Sequence, residues 1–284
     1  MTATVYDPRS CHLGEGLLWH PERQQLFWFD ILENKLLSRD GETALEWQFD
    51  ENVSAAGWTG RDTLLIASET RLFEFNLDTR SETFVAHLEP QDPGTRSNDG
   101  RADPQGGFWI GTMAKRGHQR PGAIYRYYRG ELRMLFAPIK VANAICFTPD
   151  GGHAHFSQTW DGKIWRVALD VDGWPTGEPE LLIQDEGRNI DGMVCAADGT
   201  LWNAHYRSGA VRVYAPDGAV IADHAIPASQ TTCPAFGGPD LTTLYVTTAR
   251  QDIPPNEVEA DPRHGRTFAI ETQTTGQREH RVIL

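Results

Sequence analysis

The chain repeats itself, and the length of the repeat restricts the fold more than any other feature. Six segments carry it: GLLWHPERQQLFWFDI (16–31), AAGWTGRDTLLIASE (55–69), DGRADPQGGFWIGTM (99–113), AICFTPDGGHAHFSQ (144–158), GMVCAADGTLWNAHY (192–206) and PAFGGPDLTTLYVTT (234–248). In each, an apolar run meets a second run across a turn, and in five of the six that second run carries aromatic residues. Aligned on Pro21, Gly60, Pro104, Pro149, Ala197 and Pro239, the turns fall 39, 44, 45, 48 and 42 residues apart. Further β-like runs follow the pairs, as in RLFEFNLD (71–78), AIYRYYRG (123–130), KIWRVALD (163–170) and AVRVYAPDG (210–218). Helical periodicity persists nowhere for more than about two turns. Six units of about 47 residues, each with roughly four strands, predict an all-β chain folded as a six-bladed β-propeller. The prediction covers residues 1–284 as one domain, because no Pro/Ser linker interrupts them. Ring closure is expected from TATVYD (2–7) or REHRVIL (278–284), and 249–265 is expected to be a surface loop of the last blade.

Composition narrows the function. Lys and Arg number 26 against 39 Asp and Glu, a net charge of −13 that repels phosphate backbones and argues against nucleic acid as a partner. The start MTATVYDPRS lacks the pattern of a secretory signal, and no apolar run is long enough to span a membrane. Cys11, Cys146, Cys195 and Cys233 stand far apart, which fits reduced thiols and a cytoplasmic location. A closed ring hides its own sheet edges, so no oligomer is required.

In a propeller the inner strands converge on a central channel, and loops at one end form a cup. Glu15, Asn98, Asn143 and Asp191 each stand six residues before the turn anchor of their unit. A shared offset puts four oxygen-bearing side chains at one level around the channel mouth. Two carboxylates and two amides make a hard site that suits Ca²⁺, Mg²⁺ or Mn²⁺, and less selectively Zn²⁺ or Fe²⁺. Without a cation Glu15 and Asp191 would repel, and one would hold a proton. The structural alternative is that each merely starts a strand or an Asx-turn, where Asn and Asp are favoured. Asp99-Gly100 and Gln105-Gly106-Gly107 read as turns.

The segments LGEGLLWH, RSNDGRADPQGGFWIGTM, ANAICFTPDG and DGMVCAADGTLW resemble the signature segments of the SMP-30/gluconolactonase family, in order and across essentially the whole chain. The resemblance implies a six-bladed propeller with one divalent metal ion in the channel and a small sugar lactone as substrate. Matched by motif, Glu15, Asn143 and Asp191 correspond to metal ligands, while Arg96 and Asn98 correspond to residues contacting the lactone. The implied reaction is hydrolysis of an aldonolactone to its aldonic acid, with Asp191 both holding the metal and accepting a proton from water. The sequence departs from the family's pattern in three places. Ala144 follows Asn143 where Gly is usual, Ile190 precedes Asp191 where Pro is common, and Lys115-Arg116 stand where some relatives carry acidic residues. No G-x-S-x-G segment supports a serine route. The alternatives are a non-enzymatic Ca²⁺-binding propeller and a metal-dependent aryl-ester or phosphotriester hydrolase.

Other polar residues have simpler accounts. His153 and His155 face one side of a strand, with no carboxylate at matching spacing to make a second metal site. His205 is a candidate for the cup. Cys146, Cys195 and Cys233 recur on inner strands, as small buried residues of a channel wall. Lys115, Arg116 and His118 are expected in a solvated loop; as cup residues they would instead attract a carboxylate-bearing substrate.

Overall fold

The computed structural model describes residues 2–284. It forms six four-stranded antiparallel sheets, five of them simple meanders in chain order. Their inner strands are Gly14–His20, Val53–Gly60, Thr95–Ala102, Ala142–Phe147, Asn189–Cys195 and Thr231–Gly237. Each inner strand touches the next around the ring, and the last touches the first, so the propeller closes.

The inner strands lack the alternation of apolar and polar residues that a half-exposed strand shows, and packing explains why. Each blade is covered on both faces by its neighbours, so Gly14–His20 and Thr231–Gly237 are buried at every position. Six apolar clusters fill the six spaces between blades. Phe29 and Phe73 belong to the cluster between the first and second blades, and Trp202 meets Phe236 between the fifth and sixth. Burial of this kind contributes about 25 cal/mol per Å² of apolar surface and holds the ring together without a covalent tie.

Of the two closing segments considered, the N-terminal one serves. Thr4–Asp7 pairs with Thr267–Glu271 and completes the sixth blade. Residues 278–284 join no sheet. They continue a tail that crosses the channel end opposite the cup, where Gln277 Nε2 donates to the carbonyls of Phe147 and Cys195. The amide of Val282 bonds Trp58 O, and Arg101 Nη1 lies 2.7 Å from Glu279 Oε1. Segment 249–265 is a loop with one short helix, Pro255–Ala260, and no described helix is long and apolar enough to cross a membrane.

Asp99-Gly100 is not a turn, contrary to expectation; it lies inside the inner strand Thr95–Ala102. Gly100 is there because a Cβ would sit 2.7 Å from Trp109 O, and Asp99 Oδ2 accepts the Ile145 amide of the next blade at 2.8 Å. Gln105-Gly106-Gly107 does connect two strands, as expected.

Candidate functional site

Every inner strand bulges against its partner. Glu15 pairs with Phe29 but Leu18 with Phe27, and Asn143 pairs with Ser157 but Cys146 with His155. The third and fifth blades skip in the same way between Ser97 and Gly100 and between Ile190 and Met193. A bulge re-aims a side chain that the strand's alternation would otherwise send into a sheet face. Here the bulges fall at or beside Glu15, Asn98, Asn143 and Asp191, which accounts for their constant offset. The second and sixth blades bulge too, and there hydroxyls brace the neighbours. Ser54 Oγ donates to Asn98 O at 2.6 Å, and Thr232 Oγ1 donates to Gly14 O at 2.5 Å.

Glu15, Arg96, Asn98, Asn143 and Asp191 all line one cup at the channel mouth, which holds about 490 Å³ of open space. All five are buried in the protein. Arg96 Nη1 donates to Asn98 Oδ1 at 2.9 Å and to Ser97 O at 2.8 Å, while its Nε and Nη2 make no hydrogen bond to described residues. Asn98 Nδ2 donates to Ala142 O at 2.9 Å and to Asn143 Oδ1 at 3.3 Å. Thr159 Oγ1 accepts from Asn143 Nδ2 at 2.7 Å, which turns the amide oxygen of Asn143 away from Thr159.

The electrostatics follow from burial. The Asp191 carboxyl is raised well above the usual carboxylate range, by desolvation first and then by Glu15 and Asp99. Glu15 is raised as well, by desolvation and then by the charge of Asp99. Desolvation also pulls Arg96 down to about 10, against the opposing charges of Glu15 and Asp191. Asp99 accepts the Ile145 amide, and among the described residues it completes no metal-holding group of three acids. Among the described residues no side chain donates to either oxygen of Asp191, and Glu15 accepts only the Gly16 amide at 3.3 Å. Two buried, poorly hydrogen-bonded carboxylates beside an amide oxygen form a donor set that fits a hard divalent cation.

Several cup residues escaped the sequence. Trp160 and Tyr206 meet edge-on with ring centroids 6.2 Å apart, and Leu13, Met113 and Asp252 complete the wall. Tyr206 and His205 are neighbours on one strand, so they point opposite ways. Tyr206 faces the cup; His205 does not, and its Nε2 lies 3.1 Å from Tyr214 Oη in the interior. His155 is buried and His153 half-buried, away from the cup. The cysteines are free and buried, as expected of a channel wall. Lys115, Arg116 and His118 do not line the cup; Lys115 Nζ lies 2.8 Å from Glu69 Oε2, and Arg116 is exposed.

The family model of the SMP-30/gluconolactonase/LRE-like region matches residues 13–250. The structure superposes with a TM-score of 0.97 on the calcium-binding protein regucalcin of Agrobacterium tumefaciens strain C58, which is 38% identical; the match covers 100% of this chain and 98% of that one. The L-arabinolactonase of Azospirillum brasilense is 34% identical over 93% of this chain and 90% of its own. The pentonolactonase XacC of Haloferax volcanii is 31% identical over 99% of this chain and 98% of its own. Four ordered motifs, six closed blades and matches along nearly the full length make this chain a member of the SMP-30/gluconolactonase family.

Proposed function

We propose that the chain hydrolyses a sugar lactone to the corresponding aldonic acid in this cup, with the help of one divalent cation. The observation that carries the proposal is the convergence of Glu15, Asn143 and Asp191 with the Arg96–Asn98 pair at one channel mouth, in a relative of sugar lactonases. Glu15, Asn143 and Asp191 would hold the cation, which supplies positive charge to polarise the lactone carbonyl. Calcium is the first candidate, because the similar regucalcin is a calcium-binding protein.

The protein's own groups do the rest. Arg96 turns its free Nε and Nη2 donors toward the substrate and stabilises negative charge that develops on the carbonyl oxygen. Asn98 keeps that guanidinium in place through its Oδ1, so it orients the lactone chiefly by orienting Arg96. Asp191 takes the proton of the attacking water as the new C–O bond forms. The ring C–O bond then breaks, and the same proton passes to the departing alkoxide, leaving an open-chain hydroxy acid. A lactone is already an activated ester, so no nucleophilic side chain is needed.

One observation favours a second substrate class. Leu13, Met113, Val141 and Trp160 give the cup a more apolar wall than its polar ring suggested, which suits an aryl ester. The test is a pH-indicator screen of aldonolactones and an aryl acetate, with chelated protein reloaded with single divalent ions. The proposal expects lactones to be turned over faster; an ester-only enzyme would refute it.

A further inference from the structure

The cup has a second level above the polar ring, built from loops rather than inner strands. Trp160, from the loop after the second strand of the fourth blade, is half exposed beside Tyr206. Asp252 comes from the long loop of the sixth blade and also lines the cup. Its two oxygens face two arginines on other blades: Oδ1 lies 3.9 Å from Arg116 Nη1, and Oδ2 lies 3.6 Å from Arg207 Nη2. Both separations are too long for hydrogen bonds, so the carboxylate is oriented while its lone pairs stay open. Arg116 belongs to the third blade and Asp252 to the sixth, which lie opposite in a ring of six, so this contact reaches over the mouth.

Two of these residues also have unusual backbones. Arg207 and Asp252 both adopt left-handed conformations, with φ of +69° and +60°. Such conformations are uncommon outside glycine and persist where surrounding contacts demand them. For Arg207 those contacts include its guanidinium over the Tyr206 ring at 5.7 Å and the Trp160 ring at 6.0 Å.

The charges around the mouth indicate what enters. Lys115 is matched by Glu69, Arg120 by Asp92, and Arg116 and Arg207 share Asp252. Four cations thus face three carboxylates around the rim, but of these groups only Asp252 lines the cup itself, so the charge presented to the substrate there is negative. A carboxylate with open lone pairs accepts hydroxyl groups, and an aromatic face beside it suits the C–H face of a sugar.

On the lactonase reading, we infer that Trp160 and Asp252 form a specificity subsite for the polyhydroxylated, uncharged part of the substrate. Asp252 accepts sugar hydroxyls while Trp160 covers the ring or tail, so the preferred substrate is a neutral aldonolactone rather than a lactone bearing a carboxylate or phosphate. The experiment compares kcat/KM for three lactones of equal ring size: a neutral aldonolactone, an unsubstituted lactone and a carboxylate-bearing lactone. Asp252→Ala should lower the ratio of neutral aldonolactone to unsubstituted lactone by about 10- to 100-fold, mainly through KM, as expected for a hydrogen bond to a charged group. Asp252→Asn should fall between, since an amide oxygen still accepts, and Trp160→Ala should lower the same ratio. An unchanged ratio, equal losses on both lactones, or a wild-type preference for the carboxylate-bearing lactone would overturn the subsite alone. A wild-type protein inert toward every lactone would remove the lactonase reading and the subsite together.

Discussion

Gly16 and Ala144 adopt the same left-handed backbone, with φ of +59° at each, one residue after Glu15 and Asn143. The coincidence follows from the bulge that the first and fourth blades share, which turns both preceding side chains into the cup. The two positions differ in the space around them. A Cβ on Gly16 would lie 2.2 Å from Ser54 O and 2.8 Å from the Phe29 ring, whereas the Ala144 methyl is accommodated in the core between the fourth and fifth blades.

Gly16→Ala should therefore destabilise the protein by about 3 kcal/mol or more, as strain and backbone clash combine. Ala144→Gly should stay within about 1 kcal/mol of wild type, because relief of the left-handed strain is offset by lost methyl burial and greater chain entropy. Denaturant unfolding of both variants checks the contrast, and equal effects would count against a shared bulge geometry.

The buried carboxylates predict a conflict between stability and activity. Glu15→Gln removes one of two like charges that accept almost no hydrogen bonds. In chelator at pH 8 this variant should melt above wild type, since an uncompensated buried charge is unfavourable. Lactone hydrolysis should be lost, and calorimetric divalent-ion affinity should fall by at least tenfold. A lower melting temperature in chelator would mean that the carboxylate is already well partnered by the protein.

Arg96→Ala should reduce kcat/KM for a sugar lactone by about 100-fold, the usual effect of losing a donor to a developing oxyanion. Divalent-ion affinity should change little, because Arg96 binds Asn98 rather than Glu15 or Asp191 through hydrogen bonds. Ion loss in this variant would recast Arg96 as scaffolding.

At the other end of the channel, Glu279→Ala should destabilise the protein by about 3 kcal/mol, because it strands the buried guanidinium of Arg101. Thermal unfolding with and without added salt is the check. A shift under 0.5 kcal/mol would show that the tail is not held by this ion pair.

Acid stability should respond to His155, whose imidazole is pushed down to about 3, chiefly by burial and then by the charges of Arg166 and His153. The unfolded chain takes up this proton near pH 6.5, before the folded chain does. Stability is therefore whole above pH 6.5 and is lost as pH falls from there toward 3, by about 2 kcal/mol at pH 5. His155→Gln should flatten that slope in unfolding curves between pH 7 and 5; an unaltered slope would place the acid sensitivity elsewhere.

The propeller and its polar ring were legible because both repeat. Burial between six similar blades imposes a period on the chain, and a recurrent bulge puts Glu15, Asn98, Asn143 and Asp191 at a recurrent offset. The upper cup was not legible, because Trp160 and Asp252 come from loops that differ from blade to blade, and Tyr206 stands at the very end of the strand Leu201–Tyr206. His205 was misplaced by a single strand position, which is enough to send a side chain to the opposite face. Asp99-Gly100 looked like a turn because Gly serves equally where two backbones approach closely.

The most direct measurement is proton release from a neutral aldonolactone by chelated wild-type protein and by Asp191→Ala, each before and after reloading with single divalent ions. Wild type should recover at least 100-fold over the chelated rate with one or more ions, while Asp191→Ala should stay at the uncatalysed rate with all of them. Hydrolysis by Asp191→Ala at the wild-type rate, or full wild-type activity in chelator, would contradict a cation-assisted site at this channel mouth.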